Sequence, residues 1–148
     1  MAIVIEQTLD IDAPLPNAWR VLTDLDRYGE WNPFVTRCRS TLRPGAPIHM
    51  RVRVLPLFAQ PQWETVFEHE PERLLSYGIK LPTGLLNSYR SHEFKTLDDG
   101  RTRYRSLFRL RGWLAPLVAL LFEANLRRGF DAMSTALKQR AEAERGQI

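Results

Sequence analysis

Apolar and polar positions alternate with period two over most of the chain up to residue 110, then give way to helical spacing. Ile3 to Ile11 alternates loosely and is rich in β-branched residues, which predicts a first strand. Pro14 and Pro16 stop it and can open a helix, with Ala18, Trp19 and Leu22 on one side of a short helix that follows. Asp24 to Glu30 reads as a second short helix or turn. Trp31-Asn32-Pro33-Phe34 breaks it, because the residue before proline disfavours the helical region. Strands are then expected over Val35 to Leu42, Ile48 to Leu55, Gln62 to Glu70, Arg73 to Lys80, Asn87 to Leu97 and Thr102 to Leu110. Leu55 to Pro61, with two prolines, reads as a loop, and Asp99-Gly100 between two alternating segments signals a hairpin.

The period changes for good near Ala115. Trp113 to Phe122 carries no charge, and Leu126, Phe130, Met133 and Leu137 follow at spacings that place them on one helical face. A helix over about Ala115 to Ala143 is predicted, with Pro116 in its first turn. Strands joined in series by short turns imply an antiparallel sheet with one wet face, and the long helix is the available cover for the other. The class is therefore α+β, a seven-stranded antiparallel sheet with two short helices after the first strand.

Composition adds bounds. The 148 residues suit one domain spanning 1–148, and 44% hydrophobic with 26% charged residues is ordinary for a globular chain. The net charge of +4 is modest for a dedicated nucleic-acid binder. Cys38 is the single cysteine, so no intrachain disulfide forms and a reducing, cytoplasmic setting is expected. The N-terminus lacks the pattern of a signal peptide, and the ten-residue apolar run is about half of the ~20 residues that span a bilayer.

Several local patterns coincide along this order. IDAP at Ile11 to Pro14 precedes Trp19, and LTDLDRYGEWNPF fills Leu22 to Phe34. His92 and Phe94 precede DDGRTR, and GFDAMSTALKQRAE runs from Gly129 to Glu142. In these segments the chain resembles the START-like (SRPBCC), or polyketide cyclase/dehydrase-like, superfamily over nearly its whole length. The resemblance implies a helix-grip fold, a curved sheet wrapped around the C-terminal helix with a cavity between them. It also implies a small hydrophobic or amphipathic ligand, held by a carrier or sensor, or converted by a cyclase, aromatase or dehydratase. An interaction module acting on a protein or membrane is a further alternative. The superfamily has no universal catalytic set, so the catalytic residues stay unknown and fold by itself does not name the reaction.

Candidate cavity residues follow from parity. Met50, Val52, Trp63, Thr65, Phe67, Tyr104, Ser106 and Phe108 share the apolar parity and are expected to face inward; Phe130 meets them from the helix. Phe94 brings His92 and Arg90 to the same face. His92 could orient a ligand carbonyl or act as acid or base, although such histidines more often serve as hydrogen-bonded core residues. Arg90 must meet either a ligand carboxylate or a surface acid, because an unpaired buried charge is costly, and the surface acid is the favoured partner. Tyr77, Tyr89 and Tyr104 are candidate donors, Tyr104 with the best parity. Trp31 and Pro33 read as structural. The run from Trp113 to Phe122 reads as core or gate ahead of a membrane contact, and an exposed patch used by a homodimer stays open.

The stripe Arg103, Arg105, Arg109 and Arg111, with Arg51 and Arg53, is expected to be a solvated face paired with Glu64, Glu68, Glu70 and Glu72 rather than a nucleic-acid platform. His49, His69 and His92 lack metal-ligand spacing, no phosphate loop or serine nucleophile motif occurs, and no inward carboxylate pair is evident. No cofactor or metal is expected.

Overall fold

The computed structural model describes residues 3–55 and 57–145. In chain order the elements are β1 (Ile3–Ile11), α1 (Leu15–Thr23), a 3-10 turn at Leu25–Arg27, α2 (Tyr28–Trp31), β2 (Val35–Ser40), β3 (Pro47–Leu55), β4 (Phe58–Glu70), β5 (Leu74–Gly78), a second 3-10 turn at Pro82–Gly84, β6 (Asn87–Thr96), β7 (Thr102–Arg111) and α3 (Ala115–Glu144). The seven strands form one antiparallel sheet in the order β1-β7-β6-β5-β4-β3-β2. Every consecutive pair from β2 to β7 is a neighbour, and β1 closes on β7. The helix-grip architecture expected from the resemblance is therefore present.

One face of α3 packs on the sheet through Leu126, Phe130, Met133, Leu137 and Ala141, all buried. Its far end is tied down by polar contacts: Lys138 Nζ donates to the Asp10 carbonyl (2.8 Å), and Arg140 pairs with Glu30 of α2 (2.7 Å). At that end the core is solid. Trp19 meets Phe94 edge-on at 5.5 Å, and Phe94 packs on Tyr104 at 5.1 Å. The chain enters α3 through Gly112, whose φ of +122° and contacts with the Gly84 and Leu85 carbonyls leave no room for a Cβ.

The Trp31-Asn32-Pro33-Phe34 segment is structural, as expected. Asn32 Oδ1 accepts from the backbone N–H groups of Phe34 (3.0 Å) and Val35 (2.8 Å), which fixes the turn. Trp31 leans on Tyr28 at 5.2 Å. Phe34 then lies edge-on to Phe130 at 5.0 Å and against the bare backbone of Gly129.

One element differs from its expectation. The segment with two prolines is not wholly loop, because β4 starts at Phe58 and contains Pro61 opposite Arg51. The strand tolerates proline there because β5 pairs with β4 only from Thr65 onward, so no ladder bond to β5 is forfeited at Pro61.

Among the described residues only Arg103 and Arg105 of the arginine stripe are paired with acids, and their partners differ from those expected. Arg103 bonds Asp10 (2.9 Å), and Arg105 bonds Glu6 (2.8 Å) and Glu93 (2.9 Å), so the acids come from β1 and β6. Glu68 instead accepts from Ser76 and Tyr89, each at 2.8 Å, and Glu70 pairs with Arg73. The expected pairing failed because strand order in space, which sequence neighbours do not reveal, sets cross-strand partners.

Candidate functional site

Between the sheet and the first half of α3 lies a cavity of about 320 Å³. Its apolar walls come from Phe34 and Val35 of the β2 entry, Met50, Val52 and Val54 of β3, Phe108 and Leu110 of β7, and Val118, Phe122, Leu126 and Phe130 of α3. Leu55, Ile79 and Leu86 complete the apolar lining. Its polar groups come from the middle strands: Gln60, Gln62 and Glu64 of β4, Tyr77 of β5, and Ser88 and Arg90 of β6.

Arg90 is the unusual group. Only 4% of it is exposed, and no carboxylate lies within ion-pairing distance of it among the described residues. The guanidinium donates to Ser106 Oγ and, at 3.7 Å, to the Met133 sulfur, and lies 4.5 Å over the Phe130 ring. Those contacts hold a flat cation of five N–H donors against one wall with donor capacity to spare. The surface acid favoured in the sequence reading is absent because β6 is a central strand and Arg90 points to its inner face.

Glu64 faces the same cavity. Burial is the main cause that raises its carboxyl above the ordinary range, opposed by a hydrogen bond from Gln62 Nε2 (2.5 Å) and by the Arg90 charge. The cavity thus holds a fixed cation and a carboxyl whose neutral form persists to higher pH than usual.

His92 does not line the cavity. It is fully buried behind Tyr77, with Nε2 3.0 Å from the Tyr77 hydroxyl and Nδ1 2.7 Å from the Tyr104 hydroxyl. Burial, and then the Arg90 charge, push its pKa well below 6.5, so the ring is neutral. A neutral imidazole donates through one nitrogen and accepts through the other, so the two tyrosines have opposite roles. Burial likewise drives the Tyr77 phenol far above its ordinary value.

Of the residues expected at the site, Met50, Val52, Tyr77, Arg90, Phe108 and Phe130 line the cavity. His92, Tyr104, Phe94 and Ser106 face inward but sit in the packed region or, for Ser106, under the Arg90 guanidinium. Trp63 and Phe67 are on the opposite face. Trp63 is 72% exposed and lies edge-on to His49 at 5.0 Å, and Phe67 stacks on Tyr89 with Lys80 above it. Thr65 is exposed with them. The apolar-inward rule fails for Trp63 and Phe67 because β4 supplies the polar wall of the cavity, while Val66 of the same strand stays buried.

Glu64, Gln60, Gln62 and Phe34 were not anticipated, and Glu64 had been placed outside. The one available clue was Val66, buried and on their parity. A register shift between Val66 and Glu68 then blurs the alternation beyond it. Among the described residues no group of three His, Cys, Asp or Glu could hold a metal ion, and no helix is long and apolar enough to cross a membrane.

Fold and cavity together define a helix-grip ligand-binding domain. Residues 2–142 match the family model described as polyketide cyclase / dehydrase and lipid transport, and the chain belongs to that family. No curated protein matches the sequence. Among solved structures it is similar to the Zhui aromatase/cyclase from Streptomyces sp. R1128, with 18% identity, 97% of this chain and 96% of that one covered, and a TM-score of 0.79. A START superfamily protein from Mycobacterium smegmatis matches with 15% identity, 95% and 97% coverage and a TM-score of 0.71. Ara h 8.0201 matches with 8% identity, 97% and 99% coverage and a TM-score of 0.72. Identities this low speak for the fold alone.

Proposed function

We propose that this protein binds one compact amphipathic molecule with an acidic end, as a carrier or sensor. The observation that carries the reading is Arg90, a buried guanidinium with no carboxylate partner among the described residues, on the wall of an otherwise mostly apolar cavity. A carboxylate or enolate seated there accepts charge-assisted hydrogen bonds that the protein itself leaves unmade. Tyr77 adds a hydroxyl whose role as donor or acceptor follows the tautomer of His92 behind it. A volume of about 320 Å³ is at the small end of ligand sites, which favours one or two rings or a short chain over a two-chain lipid.

Binding is favoured over catalysis because the Tyr77–His92 pair is poorly tuned for proton transfer near neutral pH. The phenol is pushed up and the imidazole down, each away from the operating range. One observation supports an enzyme instead. Glu64 is shifted toward neutrality and shares the cavity with Arg90, so it could remove a proton beside a carbonyl while Arg90 holds the resulting enolate.

Calorimetry with an arylacetic acid and the matching alcohol tests the first reading. The acid should bind at least ~10-fold tighter than the alcohol, in line with a charge-assisted bond to a buried cation, and Arg90→Met should erase the difference. Equal affinities in the native protein would exclude an acidic-end ligand. Turnover of a poly-β-carbonyl compound that stops in Glu64→Gln would favour the enzyme.

A further inference from the structure

Ten large apolar side chains are well exposed among the described residues, and eight of them gather at one end of the molecule. Leu55, Leu57 and Phe58 stand where β3 hands over to β4, Leu57 being 96% exposed. Leu81 stands on the β5–β6 connection. Trp113, Leu117, Leu120 and Leu121 stand at the start of α3, Leu120 being 81% exposed.

The three segments are fastened together. Asn125 of α3 donates to the Val54 carbonyl (3.1 Å), and the N–H groups of Trp113 and Leu114 bond the Gly84 and Leu85 carbonyls (3.3 and 3.2 Å). Val54, Leu86, Val118 and Phe122 of these segments line the cavity, and Leu55 both lines it and is exposed, so the cavity opens on this side. The exposed apolar residues are therefore a rim around the mouth, far more than single surface hydrophobes would give.

Charge on the rim is predominantly basic. Residues 53–58, 79–87 and 111–128 hold five basic side chains, Arg53, Lys80, Arg111, Arg127 and Arg128, against one acid, Glu123. Glu123 faces Arg127 at 3.7 Å, and the other four basic groups have no acid within 4 Å among the described residues. The surplus on these segments equals the +4 of the whole chain, so the remainder is neutral on balance. The basic flank that the apolar run of α3 lacks in sequence is supplied in space by β3, β7 and the β5–β6 connection.

We propose that this rim docks on an anionic lipid bilayer with the cavity mouth facing the acyl region. Apolar side chains enter the interface while the basic groups meet the lipid headgroups. A ligand then passes between bilayer and cavity without crossing water. Docking rests on the rim alone and stands independently of Arg90.

The test uses the whole protein with no cavity ligand, so its failure leaves the cavity reading untouched. Vesicles of phosphatidylcholine are compared with vesicles that also contain phosphatidylglycerol. The protein should sediment with the anionic vesicles and leave them at high salt. Arg128→Ala should weaken binding ~5-fold, the effect of one basic group near such a surface. The double variant Leu120→Glu, Leu121→Glu should weaken it ~10-fold or more by removing apolar area and adding like charge. Trp63→Ser, on the outer face, should change nothing. Brominated acyl chains should quench Trp113 fluorescence, and Trp113→Phe should remove the quenched component. Failure to bind anionic vesicles, or equal binding by the double glutamate variant, overturns the proposal. So does a stable dimer in solution that ignores vesicles and dissociates in that variant, which would give the rim to a second copy.

Discussion

Replacing Arg90 by methionine, together with Ser106→Ala to avoid an orphaned hydroxyl, should make the empty protein more stable while removing its preference for an acidic ligand. An ion taken out of water still costs several kcal/mol after the protein relaxes. Against that, the Phe130 ring at 4.5 Å returns ~1–2 kcal/mol and the charged hydrogen bond to Ser106 ~1.5–3 kcal/mol. A deficit of ~1–2 kcal/mol remains, held down by the water that the cavity admits to the guanidinium. Methionine follows the same stem and meets Met133 and Phe130 with apolar surface. At ~2–4 °C per kcal/mol for a chain of this size, the melting temperature should rise ~2–8 °C. Differential scanning calorimetry of the ligand-free proteins measures it, and calorimetric titration with an arylacetic acid measures the lost preference. A melting temperature that falls by a similar amount would refute the reasoning, since Arg90 would then be a structural group satisfied by its own fold. Arg90→Lys should keep the charge and part of the ligand preference, without the fork.

Gly129→Ala should destabilise by ~1–2 kcal/mol despite gaining up to ~1 kcal/mol of helix propensity, because its Cβ would stand 2.2 Å from the Phe34 ring. A urea midpoint at or above that of the native protein would show that Phe34 moves aside freely. The depressed pKa of His92 means that the unfolded chain binds the extra proton below about pH 6.5. Its contribution is complete above that pH and declines on acidification, by up to ~1.4 kcal/mol per pH unit, and His92→Gln should flatten the profile between pH 6.5 and 5 in urea titrations. For Glu64 the sign is opposite: its raised carboxyl ionises as pH climbs past its usual 4.5, so affinity for an acidic ligand should fall with rising pH and level off in Glu64→Gln. Burial pushes the Cys38 thiol up to about 12, so a disulfide reagent at pH 8 should leave it unreacted until denaturant is added, and rapid labelling of the folded protein would contradict that placement.

Strands β6 and β7 show what local pattern can carry. Their expected bounds match within a few residues, and Arg90, Phe94, Tyr104 and Phe108 face inward as their alternation implies. The four core residues of α3 were likewise legible from spacing, since a helix covering a sheet must keep one apolar stripe. On β4 the same rule placed Trp63 and Phe67 on the wrong face. A strand lining a polar pocket reverses the usual correlation between hydrophobicity and burial, and departures of this kind collect at functional sites.

His92 marks another limit. Parity put it on the inner face correctly, but depth along the strand decided that it sits behind Tyr77 and not in the cavity wall. The sequence by itself determined the order of elements, the antiparallel sheet, the helix that covers it and the family, because these rest on local periodicity and turn chemistry. Only the tertiary structure decided that Arg90 meets no acid among the described residues, that Glu64 turns inward and that three separate segments make one apolar, basic rim. Those facts depend on which distant residues share a space, and side-chain partners across a curved sheet are set by register and bulges that no single strand encodes.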